Sequence, residues 1–509
     1  MDVTQILMLI TILVYLAAMV GIGAVLAKQN QTTDDFYLGG RTLGPLVTAM
    51  SAEASDMSSW LLMGLPGVAY LSGTADAAWT AIGLAIGTYV NWLVVAKRLR
   101  NYTHVCGNST TLPLFFSNRY RDNKRILSVI AALLIIIFFV PYTASGFAAC
   151  GKLFANLFGM DYLPAMLISA IVIVAYTTLG GFLAASTTDF VQSIVMTIAI
   201  VVVFGFGISK VGSFSAVMDN AKSMAGYFSL THTHDVATGT ASPYSLLQIF
   251  STLAWGLGYF GMPHVLLRFM AIGDANKLKL SRRVATVWVV ISMAVSVFIG
   301  VIGNAMTKAG VLPTLKDPET IILVVADLIS KHGVLATIIA GLILAGILAA
   351  TMSTADSQLL AASSSASQNI LKEVFMKDMS EKTGMLIARI TVLVIALIGV
   401  FIARNPDSSV FQIVSFAWAG FGASFGPLVL LALFWKRSTF QGALCGMVSG
   451  GVMVFVWKFL IRPMGGALGI YELLPAFLLG LAVNVIVSLL TLAPSREVQD
   501  EFDKVASMK

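Results

Sequence analysis

Thirteen apolar runs, each long enough to cross a bilayer, constrain this chain more than any motif does. They lie near 6–27, 44–71, 76–96, 126–150, 162–180, 189–209, 244–266, 284–306, 333–360, 385–403, 408–434, 440–460 and 473–492. About 20 apolar residues suffice for one helical crossing. Inside a bilayer every backbone N–H and C=O needs a partner within the protein, so such runs fold as helices. The expectation is an all-α polytopic membrane protein with about thirteen transmembrane helices in the cell membrane. Composition agrees: 57% of the 509 residues are hydrophobic and only 11% charged, against roughly a quarter charged in soluble domains. The opening "MDVTQ" carries an acid and no basic residue, so the first run is expected to stay as a helix rather than be cleaved as a signal peptide.

Charge sets the orientation. Lys and Arg gather after spans 1, 3, 7, 9 and 11 and in the tail: "KRLR" and "RYRDNKR" flank one loop, Arg268 to Arg283 fill the loop after span 7, and Lys436–Arg437 begin another. Positively charged loops stay cytoplasmic, so the N-terminus is expected outside and the C-terminus inside. The net charge of +7 thus serves orientation, and no nucleic-acid partner is expected. Cys106, Cys150 and Cys445 have no CxxC spacing, and packing is their expected role. His104, His232, His234, His264 and His332 are scattered, which disfavours a membrane metalloenzyme. No obligate protein partner is evident; the lipid bilayer is the expected surrounding.

Two spans are interrupted. Span 2 carries "SAEASDMSS" and span 7 carries "WGLGYFGMP", whose glycines and proline weaken a helix. They are five spans apart, so spans 2–6 and 7–11 would have opposite topology. Paired broken helices at corresponding positions point to a transporter binding site. The expected units are a first helix at 1–28, repeats at 40–211 and 244–437, two further spans at 438–492 and a cytoplasmic tail at 493–509, a short charged helix or coil.

A carboxylate at the bilayer centre costs about 2.5–3.5 kcal/mol or more, so Glu53 and Asp56 are candidate coupling residues. The alternative is that they pair locally or face a watery vestibule. In span 9, "GILAATMSTADSQ" places Gly346, Ala350, Ser353 and Ser357 on one small, oxygen-rich face, with Thr354 and Asp356 on its flanks. Close helix packing is the competing explanation for such a face. Trp255, Tyr259 and Pro263 fall at i, i+4 and i+8, an aromatic stripe that could be pocket wall or core.

At this point the motifs "FYLGGRTLGP", "ASDMSSWLLMGLPG", "YTTLGGFLA", "WGLGYFGMPHVLLRFMA", "MSTADSQLL" and "FAWAGFGASFGP" resemble the sodium:solute symporter family, in particular its sodium/proline branch. The resemblance covers essentially all thirteen spans and implies a leucine-transporter-like five-plus-five inverted repeat. It implies sodium as the co-transported ion, held by the carbonyls of Ala54, Met57 and Ala350 and the hydroxyls of Ser353 and Thr354. Asp56 and Ser58 match positions that couple sodium to substrate, and Trp60, Tyr142, Trp255, Tyr259 and Pro263 match the substrate pocket. The chain departs from the branch at Glu53 and Ser59, where glycine is usual, and at Asp356, where a small residue is usual. Asp189, at the start of span 6, is expected to approach Asp356 and Ser357, in a region where some members hold a second sodium. Glu53 is expected to lie beside the sodium ligands and to make sodium dependence vary with pH.

The function these features imply is a sodium-coupled secondary symporter, not an enzyme, importing a small amino acid, with L-proline favoured. A betaine-like osmolyte, pantothenate or another carboxylate, driven by sodium or protons, stays open, as does an ion channel. The driving force is adequate: one sodium moving through 100 mV yields about 2.3 kcal/mol. A tenfold sodium gradient adds about 1.4 kcal/mol, enough together for a several-hundredfold solute gradient.

Overall fold

The computed structural model describes residues 2–29, 31–376, 379–405 and 409–508. Ten of its helices are long and apolar enough to cross a bilayer, from Val3–Ala27 to Leu473–Leu490. They answer ten of the thirteen expected runs. The run at 162–180 forms the first part of the long helix Tyr162–Val211, ahead of a sharp kink at Gly181 (φ 64°). The other two, spans 2 and 7, are the interrupted ones. Outside the helices, a small antiparallel hairpin pairs His232–His234 with Ala241–Pro243.

Span 2 starts with Pro45 at its first turn and runs helically to Ser58, whose φ of 50° and ψ of −172° break the helix. A serine in that region of backbone space stores about 1–3 kcal/mol and persists only where packing imposes it. The chain resumes through a single wide turn, Trp60–Gly64, and a second half-helix, Leu65–Ser72. Three serines, a glutamate and an aspartate in the eight residues that end at the break, Ser51–Ser58, explain why helix continuity is weak there.

Span 7 breaks differently. Leu246–Leu253 is α-helical, Ala254–Phe260 tightens to a 3₁₀-helix, Met262 is extended, and Pro263 opens a second half-helix, Pro263–Ala271. The glycines here permit close approach as well as bending. A Cβ on Gly256 would sit 2.2 Å from the Gly83 carbonyl oxygen of span 3, and one on Gly258 would sit 2.0 Å from the Trp418 indole nitrogen of span 11.

Two expectations are corrected by this geometry. Trp255, Tyr259 and Pro263 do not form one helical stripe, because a 3₁₀-helix turns about 120° per residue and the extended Met262 separates Pro263 into the next helix. Arg268 is not a loop residue: Pro263 restarts the helix, so Arg268 lies in the buried half-helix and is only 1% exposed.

Spans 2, 6 and 9 pack against one another at the centre, with span 8 against span 2 and the first helix against spans 6 and 9. The tail forms the helix Arg496–Ser507. Its Phe502 ring lies under the guanidinium of Arg98 at 4.9 Å, and Arg121 pairs with Glu497 and Glu501 at 3.0 and 2.8 Å.

Candidate functional site

The break in span 2 brings its backbone against span 9. Ser353 Oγ donates to the Ala54 carbonyl at 2.9 Å and to the Ala350 carbonyl at 3.2 Å, and Thr354 Oγ1 donates to Ala350 at 3.1 Å. Two carbonyls and two hydroxyls therefore converge, with all four residues buried. Such neutral oxygens can replace the hydration shell of a monovalent cation. Met57 is buried beside them, but its carbonyl accepts the Trp60 backbone N–H across the break.

Asp56 points the other way, toward the break in span 7. Its Oδ2 accepts from the Tyr259 hydroxyl at 2.7 Å, and its backbone carbonyl accepts from the Tyr142 hydroxyl at 3.2 Å. Its Oδ1 lies 4.0 Å from His264 Nε2 and makes no hydrogen bond among the described residues. Ser58 Oγ accepts the Trp60 N–H at 3.1 Å, which helps hold the break. The Trp60 ring faces Trp255 at 5.6 Å and Phe411 at 6.0 Å.

These groups enclose a cavity of about 10 Å³ lined by Asp56, Met57, Leu84, Trp60, Tyr142, Trp255, Val414 and Trp418. That is room for about one water, so the aromatic cage is shut in this conformation. Ser58, Tyr259 and Pro263 are buried near the two breaks but do not line it. Sequence reasoning missed Trp418, whose Nε1 donates to the Trp255 carbonyl at 2.8 Å, and Phe411. Trp418 stands inside the motif "FAWAGFGASFGP", but nothing in that motif says which distant segment it meets.

Glu53 adjoins Ala54 in sequence, yet neighbouring helical residues point about 100° apart. Its Oε1 accepts from Trp92 Nε1 of span 3 at 2.8 Å, and Trp92 packs edge-on against Phe269. No hydrogen bond among the described residues joins the Glu53 carboxylate to Ser353 or Thr354.

Asp189 and Asp356 are joined through Ser357 and through Arg268, which the sequence reading placed in a loop. Arg268 donates to Asp189 Oδ2 (3.2 Å), Ser51 Oγ (3.0 Å), Ser357 Oγ (2.6 Å) and the His264 carbonyl (3.0 Å). Each serine passes the bond on: Ser51 donates to Asp189 Oδ2 at 2.7 Å and Ser357 to Asp356 Oδ1 at 3.1 Å. The Arg268 guanidinium also lies 4.8 Å from the centre of the Phe182 ring. One cation thus serves two fully buried carboxylates and ties spans 2, 6, 7 and 9 together. The signal was available: an arginine five residues after the proline that restarts span 7 falls inside the half-helix rather than beyond it.

Known proteins share this arrangement of helices. The profile of the sodium:solute symporter family matches residues 36–450. The osmoregulated proline transporter OpuE of Bacillus subtilis is 40% identical over 489 residues, covering 96% of both chains. The sodium/proline symporter of Salmonella typhimurium is 41% identical over 502 residues, covering 98% of this chain and 96% of that protein. Among solved structures, a Na⁺-coupled sialic acid symporter in a substrate-bound, outward-open state superposes with a TM-score of 0.79 at 19% identity, over 96% of this chain and 99% of that one. At that identity the likeness establishes the fold and nothing finer.

Proposed function

Because the chain belongs to the sodium:solute symporter family, we propose that it imports L-proline together with sodium by alternating access. One observation carries the reading. Within three residues of span 2, the Ala54 carbonyl meets Ser353 and the Asp56 carboxylate meets Tyr259. The cation end and the substrate end therefore share the last helical turn before the break at Ser58.

Sodium is cargo at the first end, with Ala54, Met57, Ala350, Ser353 and Thr354 as its ligands. Filling that end exchanges the Ser353 and Thr354 hydrogen bonds for ion contacts and draws span 2 onto span 9. At the second end, Asp56, Ser58, Trp60, Tyr142, Trp255, Tyr259 and Pro263 form the proline pocket, with aromatic walls for the ring and polar anchors for its charges. Arg268, Asp189, Asp356 and Ser357 brace the four spans around the site. Glu53 acts through Trp92 on the packing of spans 2 and 3. Residues 40–211 and 244–437 are read as the inverted repeats. The N-terminus is read as external and the C-terminus as cytoplasmic, on the distribution of Lys and Arg.

The substrate is tested by a competition panel against sodium-driven proline uptake in proteoliposomes. Excess unlabelled proline should abolish labelled uptake, while glycine betaine and pantothenate at the same excess should leave most of it. Inhibition by either as strong as by proline would reassign the substrate.

The sodium ligands have their own test. Ser353→Ala and Thr354→Ala each remove one neutral oxygen, and each should raise the sodium concentration for half-maximal uptake by about tenfold, the effect of a lost contact near 1.4 kcal/mol. An unchanged sodium dependence in both variants would remove these hydroxyls from the site.

A further inference from the structure

A second cavity, of about 300 Å³, lies directly beyond Trp255. Trp255 lines both cavities, so its ring is the partition between them. On the far side, Tyr471 stacks on Trp255 with ring centres 5.0 Å apart and planes 19° from parallel. The remaining walls come from the end of span 2, the start of span 3, the 213–245 segment, the first half of span 7, the start of span 11 and the 462–471 segment. On the orientation proposed above, all of these face the outside.

Two opposite charges line this cavity without pairing. Asp76 Oδ1 accepts from the Tyr244 hydroxyl at 2.9 Å, and no hydrogen bond occupies its other oxygen among the described residues. Arg462 Nη1 donates to Glu472 Oε2 at 2.8 Å, leaving its other nitrogens without a hydrogen bond among the described residues. Glu472 is also served by Lys458 at 3.7 Å, so two cations share one carboxylate and an excess positive charge remains on that wall. A carboxylate and a guanidinium on one small cavity, each held by a neighbour yet not bonded to the other, match a ligand that carries both charges. The stacked Tyr471 and Trp255 rings supply an apolar floor between them.

We propose that this vestibule is a first-contact site for zwitterionic amino acids, with Asp76 receiving the ammonium group and Arg462 the carboxylate before Trp255 moves aside. The site rests on the reading of the chain as an importer of a zwitterion, and it extends that reading to the approach route. None of the oxygens assigned to sodium lines it, so binding here does not require sodium. The central cage, at about 10 Å³, has no room for such a ligand in the same conformation.

Saturation-transfer NMR on the full-length protein in lipid nanodiscs, in potassium buffer without sodium, reads this site directly. L-Proline should give a signal with a dissociation constant that Asp76→Asn and Arg462→Gln each weaken by about tenfold, the loss of one charge-assisted contact. L-Prolinamide, which lacks the carboxylate, and N-acetyl-L-proline, which lacks the ammonium, should bind the wild-type protein about tenfold more weakly than proline. These two ligands test the site without any variant. No proline signal in potassium, or equal binding of all three ligands, would overturn the vestibule site. If sodium-driven uptake of proline is nonetheless present, the proposed function stands and only the vestibule falls. If uptake is absent but the charge-dependent signal is found, the reverse holds.

Discussion

Asp56→Asn is expected to raise the sodium requirement for proline uptake at least about hundredfold while the protein still accumulates in the membrane. Asparagine keeps an oxygen to accept the Tyr259 hydroxyl, now 2.7 Å from Asp56 Oδ2, and leaves the backbone carbonyl that accepts from Tyr142. The fold therefore loses little. The charge is another matter: at an effective dielectric of about 20, a carboxylate 4 Å from a monovalent cation contributes about 4 kcal/mol. A cation site one turn away, at the helical end just before the break, would keep a large share of that, and each 1.4 kcal/mol is tenfold. Sodium titrations of initial uptake rate, alongside size-exclusion profiles of the purified variant, would measure both halves of this expectation. Sodium half-saturation within about threefold of wild type would place the Asp56 charge outside the coupling step.

Arg268→Met should act on the fold instead. The substitution removes the cation that bonds Asp189 and, through Ser357, faces Asp356, leaving two carboxylates fully buried. Breaking a buried ion pair by deleting one partner costs about 3–5 kcal/mol, far more than the pair itself contributes relative to apolar residues. The expected result is a sharp fall in folded protein and in the thermal midpoint in detergent. Adding Asp189→Asn to Arg268→Met should recover part of both, because the stranded charge is then removed. A lone Arg268→Met protein as stable as wild type would mean that the carboxylates are neutral or otherwise compensated.

The helices were legible because the bilayer demands continuous apolar runs, and the breaks in spans 2 and 7 were legible because polar residues, glycines and a proline interrupt those runs. Their mutual contacts were only partly so. Ser353 reaches the Ala54 carbonyl from span 9, but hydropathy ended span 7 at its first basic residue and so assigned Arg268 to a loop. The Trp255, Tyr259 and Pro263 stripe failed because it assumed an α-helical period through a segment whose glycines let it tighten to 3₁₀ and then extend. Glu53 shows the remaining limit. Its neighbours in sequence are the sodium candidates, but its side chain meets Trp92, a contact set by how span 3 crosses span 2 and not by any local pattern. Trp418 and Phe411 reach the cage from span 11 for the same reason.

Sodium coupling is tested most directly by proline accumulation in proteoliposomes under one imposed gradient at a time. An inward sodium gradient alone should drive transient accumulation above the external concentration, and an inside-negative potential should increase it, since net positive charge enters with each neutral zwitterion. A proton gradient in potassium buffer should produce only equilibration. Accumulation driven equally well by the proton gradient, or unaffected when potassium replaces sodium, would contradict a symporter whose cation site is built from Ala54, Ala350, Ser353 and Thr354.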